Sequence, residues 1–151
     1  MPRRRVLERE PSAKGVLFDQ PQVVEGSGAT LEKVAGRVER VGGDFFAEVP
    51  KGGDVYLVKH ILHDWNDDEC VSILRNVRAA MDPEGRVVVV ELLIGDHPGP
   101  APLMDLNMLV MLTGRERTAD EFGALFAKAG LRLSGVTPTH SPMVVIEAVP
   151  A

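Results

Sequence analysis

Apolar residues fall into short runs that stop abruptly at acids, prolines or glycines, alternating with stretches where they recur every three or four positions. "GVLFD" (15–19) is such a run, and the following "QP" ends it because proline has no backbone donor. In residues 23–36 the helical spacing of Leu31, Val34 and Ala35 predicts a helix, which Gly26 and Gly28 confine to the second half. "RVERVGGDFF" (37–46) predicts a second short strand and a turn, and "GGDVYLVKH" (52–60) a third strand. Asn66 with Glu69 forms a capping-box pattern ahead of Cys70, Ile73, Leu74, Val77 and Met81, which predicts a helix over 67–81. "RVVVVELL" (86–93) reads as a strand, the proline-rich "GDHPGPAP" (95–102) as a loop, and "LMDLNMLVML" (103–112), apolar all round, as a buried helix. A second capping-box pattern, Thr118 with Glu121, opens a helix with Phe122, Leu125, Phe126 and Ala129 on one side and Gly130 at its end. "LRLSGVTPT" and "MVVIEAV" flank "HSP" as a hairpin.

The predicted order is strand, helix, strand, strand, helix, strand, helix, helix, strand, strand. Alternation of this kind implies an α/β fold, a largely parallel sheet covered on both faces with an antiparallel hairpin at its end. In such sheets ligands bind beyond the carboxyl ends of the strands, so the residues there carry the functional question.

Composition narrows the field. The chain has 151 residues, 44% hydrophobic and 26% charged, with net charge -5, values that fit one ordinary globular domain and do not favour a nucleic-acid surface. The basic run "PRRR" (2–5) reads as a solvated terminus, with residues 1–5 outside the ordered domain. The single cysteine, Cys70, excludes an internal disulfide and reads as a buried thiol in a reducing compartment. No apolar stretch is long enough for a bilayer span, so no membrane partner and a cytoplasmic location are expected.

At the strand ends stand Asp19, Asp44, the cluster "KHILHDWNDDEC" (59–70) and Glu91. A lone acid there commonly caps a turn, but four successive strand ends bearing acids or bases point to chemistry. Asp19 and Asp44 are suited to accept hydrogen bonds from ribose hydroxyls and an exocyclic amine, and so to hold an adenosine. His63 can take a proton from a hydroxyl near neutral pH, and Glu91 or Glu116 can orient its ring. His60 reads as packing or solvent-facing. A zinc reading through His60, His63, Asp64 and Cys70 lacks the CxxC or HExxH spacing, and no metal is expected. A dehydrogenase fragment would share the acid after the second strand but gives no role to His63 with its acids.

The stretches "GVLFDQPQVV", "RVERVGGDFFAEVPKGGDVYLVKHILHDWNDDECVSILRNVRAAM", "GRVVVVE", "GRERTADEF" and "AGL" resemble the catalytic domain of plant-type, caffeate O-methyltransferase-like small-molecule O-methyltransferases and their bacterial relatives. The resemblance runs from about residue 6 to the end. It implies a Rossmann-like methyltransferase sheet, S-adenosylmethionine as cofactor, and transfer of its methyl group to a hydroxyl of an aromatic or polyketide-like small molecule. Carried onto this chain it makes Asp19 the ribose ligand, Asp44 and Phe45 the adenine ligands, Lys59 a contact of the cofactor's polar groups, and His63 the general base flanked by Glu91 and Glu116. The helix over 103–112, with Leu103, Leu106, Asn107 and Met111 on one face by spacing, would line the acceptor pocket.

The same resemblance implies that two family features are absent: an N-terminal helical domain through which members form homodimers, and a first central strand with its glycine-rich turn. That strand lies between the "GVLFD" and "DVYLV" strands in the family, and "VLEREPSAKG" resembles the tail of the helix that follows it. The expectation is a single partial domain over 1–151, a truncated or split enzyme with weak or no activity of its own. The alternative is an inactive remnant that serves as a binding or assembly module for a full-length homologue.

Overall fold

The computed structural model describes residues 2–95, 100–111 and 113–151, with only the backbone described for 2–5 and 107–111. The chain divides into two compact units, Met1–Pro50 and Lys51–Ala151.

In the first unit α1 (Pro2–Arg9) leads to β1 (Gly15–Asp19), α2 (Pro21–Glu25), α3 (Gly28–Leu31), a 3₁₀ segment (Glu32–Arg37) and β2 (Val38–Gly42). Strands β1 and β2 pair in parallel, Gly15 opposite Val38 and Asp19 opposite Gly42. Leu7, Leu17, Leu31 and Val34 form the core, with Ala13 and Val38 packed against it. The single helix expected in the second half of 23–36 is instead three short turns starting at Pro21. Proline ends the strand but has a backbone angle suited to the first helical position, where no donor is needed. Arg37 joins α1 to the turn after it by donating to the carbonyls of Leu7, Glu10 and Ala13.

The second unit contains β3 (Val55–Lys59), a 3₁₀ turn (Leu62–Asp64), α4 (Asp67–Ala80), β4 (Arg86–Glu91), α5 (Ala101–Met111), α6 (Ala119–Lys128), β5 (Leu131–Pro138) and β6 (Val144–Pro150). Its sheet has the order β3-β4-β6-β5. Strands β3 and β4 are parallel, whereas β4 with β6 and β6 with β5 are antiparallel. The hairpin is therefore present, and its second strand lies inside the sheet next to β4. Pairing is as much antiparallel as parallel, and the strands form two sheets rather than the one largely parallel sheet expected. Alternate burial along β4, with Val87, Val89 and Glu91 buried and Val88 and Val90 half-buried, shows one face better covered than the other. Helix α6 packs on β5 and α4 packs on α6. Phe122 and Phe126 are buried on α6 with ring centroids 6.2 Å apart, and Ile73, Leu74 and Val77 are buried on α4.

Both capping boxes are formed. Asn66 accepts from the Glu69 amide and Glu69 from the Asn66 amide; Thr118 and Glu121 repeat the arrangement. Gly130, with φ 75°, follows α6 in the left-handed conformation that closes helices.

Helix α5 departs from expectation. It begins at Ala101, within the expected loop, and is not buried all round: Leu103 is 74% and Leu106 59% exposed. Its inward side is set by buried Ala101 and half-buried Met104 and Asp105, which leaves the leucines on the opposite side. Among the described residues no helix is long and apolar enough to cross a membrane.

Candidate active site

His63 sits on the 3₁₀ turn that follows β3, one short loop beyond the carboxyl end of the strand. Its Nδ1 lies 3.0 Å from Glu116 Oε1 and 3.8 Å from Glu91 Oε2, and its Nε2 lies 3.3 Å from Asp64 Oδ1. A carboxylate at hydrogen-bond distance from Nδ1 fixes the proton there, so in the neutral ring the lone pair is on Nε2. The two acids expected to flank His63 are thus brought to it. Glu91 comes from the last residue of β4 and Glu116 from the loop before α6, and both are buried, at 0% and 1% exposure. Asp64 is a third acid against the ring that the residue pattern had suggested only as a zinc ligand.

Glu91 also organises the turn. Its Oε1 accepts from the amides of Ile61 and Leu62, while its Oε2 is buried without a hydrogen-bond partner. Burial pushes its carboxyl up to about 7, against the lowering effect of His63 and the Ile61 amide. His63 is raised above its ordinary value, chiefly by the hydrogen bond to Glu116; burial opposes this, and the charges of Glu91 and Asp64 add to it. His60 lies beside it with ring centroids 5.4 Å apart, is exposed, and has a left-handed φ of 51°. Burial and the nearby Lys59 and His63 charges lower its pKa.

In the folded chain Glu91 and His63 both hold protons that the unfolded chain releases at lower pH. Stability conferred by a raised pKa is complete below the unfolded value and is lost as pH rises through the folded one. Stability should therefore fall as pH rises from about 4.5 through neutrality, with a Glu91 contribution on the order of 3 kcal/mol. Urea denaturation at a series of pH values checks this, and Glu91→Gln should flatten the slope between about pH 4.5 and 7.

Two residues not singled out in sequence hold the turn. Arg117 is fully buried, and its guanidinium donates to Leu62 O (2.9 Å), Trp65 O (2.8 Å) and Arg115 O (3.2 Å), and through two nitrogens to Asp67 Oδ1 (3.0 and 2.8 Å). It thus grips the carbonyls on both sides of the His63 turn and the start of α4. Arg117 and Arg115 together hold the Asp67 carboxyl below its usual range, against the opposing effect of burial. Gly114 is buried directly against the backbone of His63, Asp64 and Trp65, leaving no room for a Cβ. Glu116 is positioned in turn by its amide, which donates to Asp105 of α5 at 2.8 Å. The "GRERTADEF" stretch (114–122) is a sequence signal that covers both Gly114 and Arg117, though it assigns neither a role.

Cys70 is buried as expected. Its thiol lies 3.1 Å from Leu62 O, and burial pushes its pKa to about 11, so it behaves as an inert core group.

The remaining candidates divide by unit. In the first, Asp19 is half-buried at the end of β1 and spends Oδ1 on the Gln20 amide at 2.8 Å. Asp44 is exposed and spends Oδ1 on the Phe46 amide at 2.9 Å; Phe45 and Phe46 beside it have ring centroids 5.0 Å apart. In the second, Lys59 is half-buried at the end of β3, and Leu103 and Leu106 are exposed on α5. The side chains of Asn107 and Met111 lie outside the described residues.

The sequence matches the O-methyltransferase domain family over residues 4–132. It is 47% identical to the phenazine O-methyltransferase PhzM of Lysobacter antibioticus over 149 residues, covering 96% of this chain and 44% of that protein. The mitomycin biosynthesis 6-O-methyltransferase of Streptomyces lavendulae is 42% identical over 146 residues, with 94% of this chain and 42% of that protein covered. Among solved structures, the calicheamicin-biosynthesis methyltransferase CalO1 in its SAH-bound form superposes with a TM-score of 0.90 at 42% identity, over 98% of this chain and 45% of that one. The O-methyltransferase NcsB1 of neocarzinostatin biosynthesis, in complex with S-adenosylmethionine and 2-hydroxy-5-methyl naphthoic acid, gives 0.89 at 30% identity, over 97% and 44%. The chain spans less than half the length of these relatives. With a family match over most of its length and a mixed α/β fold shared with these enzymes, the chain belongs to the O-methyltransferase domain family.

Proposed function

We propose that the chain is the base-bearing part of an S-adenosylmethionine-dependent O-methyltransferase that methylates a hydroxyl of an aromatic or polyketide-like small molecule. The observation that carries this reading is the His63 imidazole held at 3.0 Å by buried Glu116, with buried Glu91 at 3.8 Å. Nδ1 keeps its proton on Glu116, and Nε2 takes the proton of the acceptor hydroxyl as the oxygen becomes a nucleophile. Glu116 and Glu91 then stabilise the imidazolium. The cofactor supplies an electrophilic methyl on a sulfonium, and positioning of the two reactants provides much of the rate.

The first unit fits the nucleoside half of that cofactor. Asp19 and Asp44 each commit Oδ1 to a backbone amide, which fixes the carboxylate and leaves Oδ2 for a ribose hydroxyl or an adenine amine. Phe45, at an aromatic pair beside Asp44, supports adenine. In the second unit Lys59 supports the cofactor's polar groups, and the exposed face of α5, with Leu103 and Leu106, supports an apolar acceptor. Asn107 and Met111 belong to the same proposal by helical spacing. Residues 1–151 are read as one partial domain, with the first central strand and the helical domain of a homodimer lying outside it. No metal takes part in the transfer.

The chain's coverage of less than half of its relatives favours a second reading, an inactive module that assembles with a full-length homologue. Calorimetric titration of the purified chain with S-adenosylhomocysteine separates the two. Saturable binding is expected; a folded chain that gives no heat supports the module instead. In a complete enzyme carrying these residues, Glu116→Gln should lower the His63 pKa and move the acidic limb of the pH–rate profile for methyl transfer to lower pH. An unmoved limb would remove His63 as the base.

A further inference from the structure

One nitrogen of His60, one of His63 and one carboxylate oxygen of Glu91 lie within 4.8 Å of one another. Two imidazoles and a carboxylate are the donor set of borderline-soft divalent ions such as zinc, and a ligand-to-metal distance near 2.0–2.1 Å would set the donors about 3.4 Å apart. Closing that gap requires a shift of up to about 1.4 Å, which the exposed His60 ring can supply by rotation. Glu91 Oε2 is the second sign of a ligand position: it is wholly buried, faces His63 and has no hydrogen-bond partner. A buried oxygen without a partner is costly, and a cation would satisfy it. Asp64 and Glu116 bring two more carboxylates to the ring of His63, which makes the surroundings favourable to positive charge. His60 holds a left-handed backbone, uncommon for a residue with a side chain, and its ring centroid lies 5.4 Å from that of His63.

We propose that His60, His63 and Glu91 bind one divalent transition-metal cation of the zinc class at the Nδ1 side of His63, which Glu91 Oε2 faces. The cation replaces the Nδ1 proton, which is released to solvent. The neutral ring then carries its remaining proton on Nε2, the nitrogen that must accept from the hydroxyl, so methyl transfer is blocked. Binding is independent of the proposed function; inhibition rests on His63 being the base. No spacing motif announces this set, because Glu91 reaches it from another strand, and Cys70, a zinc candidate by sequence, is turned away into the core.

The test is calorimetric titration of the purified chain with zinc chloride in chelator-free buffer, with cobalt(II) absorption as a second readout and magnesium as comparison. One zinc per chain is expected, with a cobalt spectrum typical of low-coordinate nitrogen and oxygen ligands, and no comparable magnesium binding. His60→Gly suits the left-handed backbone and removes only an exposed ring. It should weaken zinc binding by at least the 10–100-fold, roughly, that losing a supporting contact costs at metal sites, while His140→Ala should leave it unchanged. Absence of stoichiometric binding, or His60→Gly binding zinc like the parent, overturns the proposal. In a complete enzyme zinc should inhibit the parent more strongly than His60→Gly. Stoichiometric binding without inhibition would retain the site and remove its link to the base.

Discussion

Replacing Gly114 with alanine should destabilise the chain by at least the roughly 3 kcal/mol that marks the upper end of overpacking costs. The added Cβ would fall on His63 O, Asp64 C and Trp65 N, all backbone atoms of the turn that carries the candidate base. A flexible side chain could rotate away from such a clash, but backbone held on several sides cannot. The turn is fixed by Glu91 from the Ile61 and Leu62 amides and by Arg117 from the Leu62 and Trp65 carbonyls. The substitution must therefore displace either the turn or the 113–117 loop that carries Glu116. Denaturation in urea reads the stability loss, and the His63 ring resonances read the loss of the Glu116 hydrogen bond. An alanine variant with the parent's midpoint and the parent's His63 titration would show that the loop packs elsewhere.

Arg117→Met should cost roughly 1–3 kcal/mol for each carbonyl that loses its donor, and little for the Asp67 pair, whose carboxylate is 40% exposed and keeps Arg115. Methionine matches much of the length but donates nothing, so Leu62 O and Trp65 O lose their guanidinium donors while remaining partly buried. Leu62 O keeps the Cys70 thiol and the Trp65 amide, which limits the loss. Arg117→Lys should lie between the two, because one ammonium cannot reproduce a fork that reaches two carbonyls and a carboxylate. A structural role alone predicts only a lower midpoint. The positioning role adds a second expected result: with the turn loosened, the His63 pKa, followed by NMR in the folded variant, moves back toward its ordinary value near 6.5. A variant with reduced stability and an unchanged His63 titration would confine Arg117 to packing.

The elements that were legible in sequence share a local cause. Both capping boxes formed because Asn66 with Glu69, and Thr118 with Glu121, satisfy first-turn amides using residues three apart. The β5 and β6 hairpin and the β4 run likewise follow from short-range pattern. The reading failed where one residue type has two local solutions. Pro21 ends a strand and also starts a helix, and an apolar helix such as α5 does not state which side its own core will take.

The chain by itself determined the order of the six strands and of the helices from α4 onward, the acids and bases at the strand ends, and a resemblance specific enough to name the family. These depend on neighbours along the chain or on residue types, and both are written in the sequence. The opening helix α1, which includes residues expected outside the ordered domain, and the three turns after β1 were not read from it. Only the tertiary structure decided that β6 lies between β4 and β5, that Glu91 and Glu116 converge on one ring, and that Arg117 and Gly114 hold the turn beneath it. Those facts rest on contacts between segments far apart in the chain, whose distances are set by packing and hydrogen bonding among elements, and no local pattern records them.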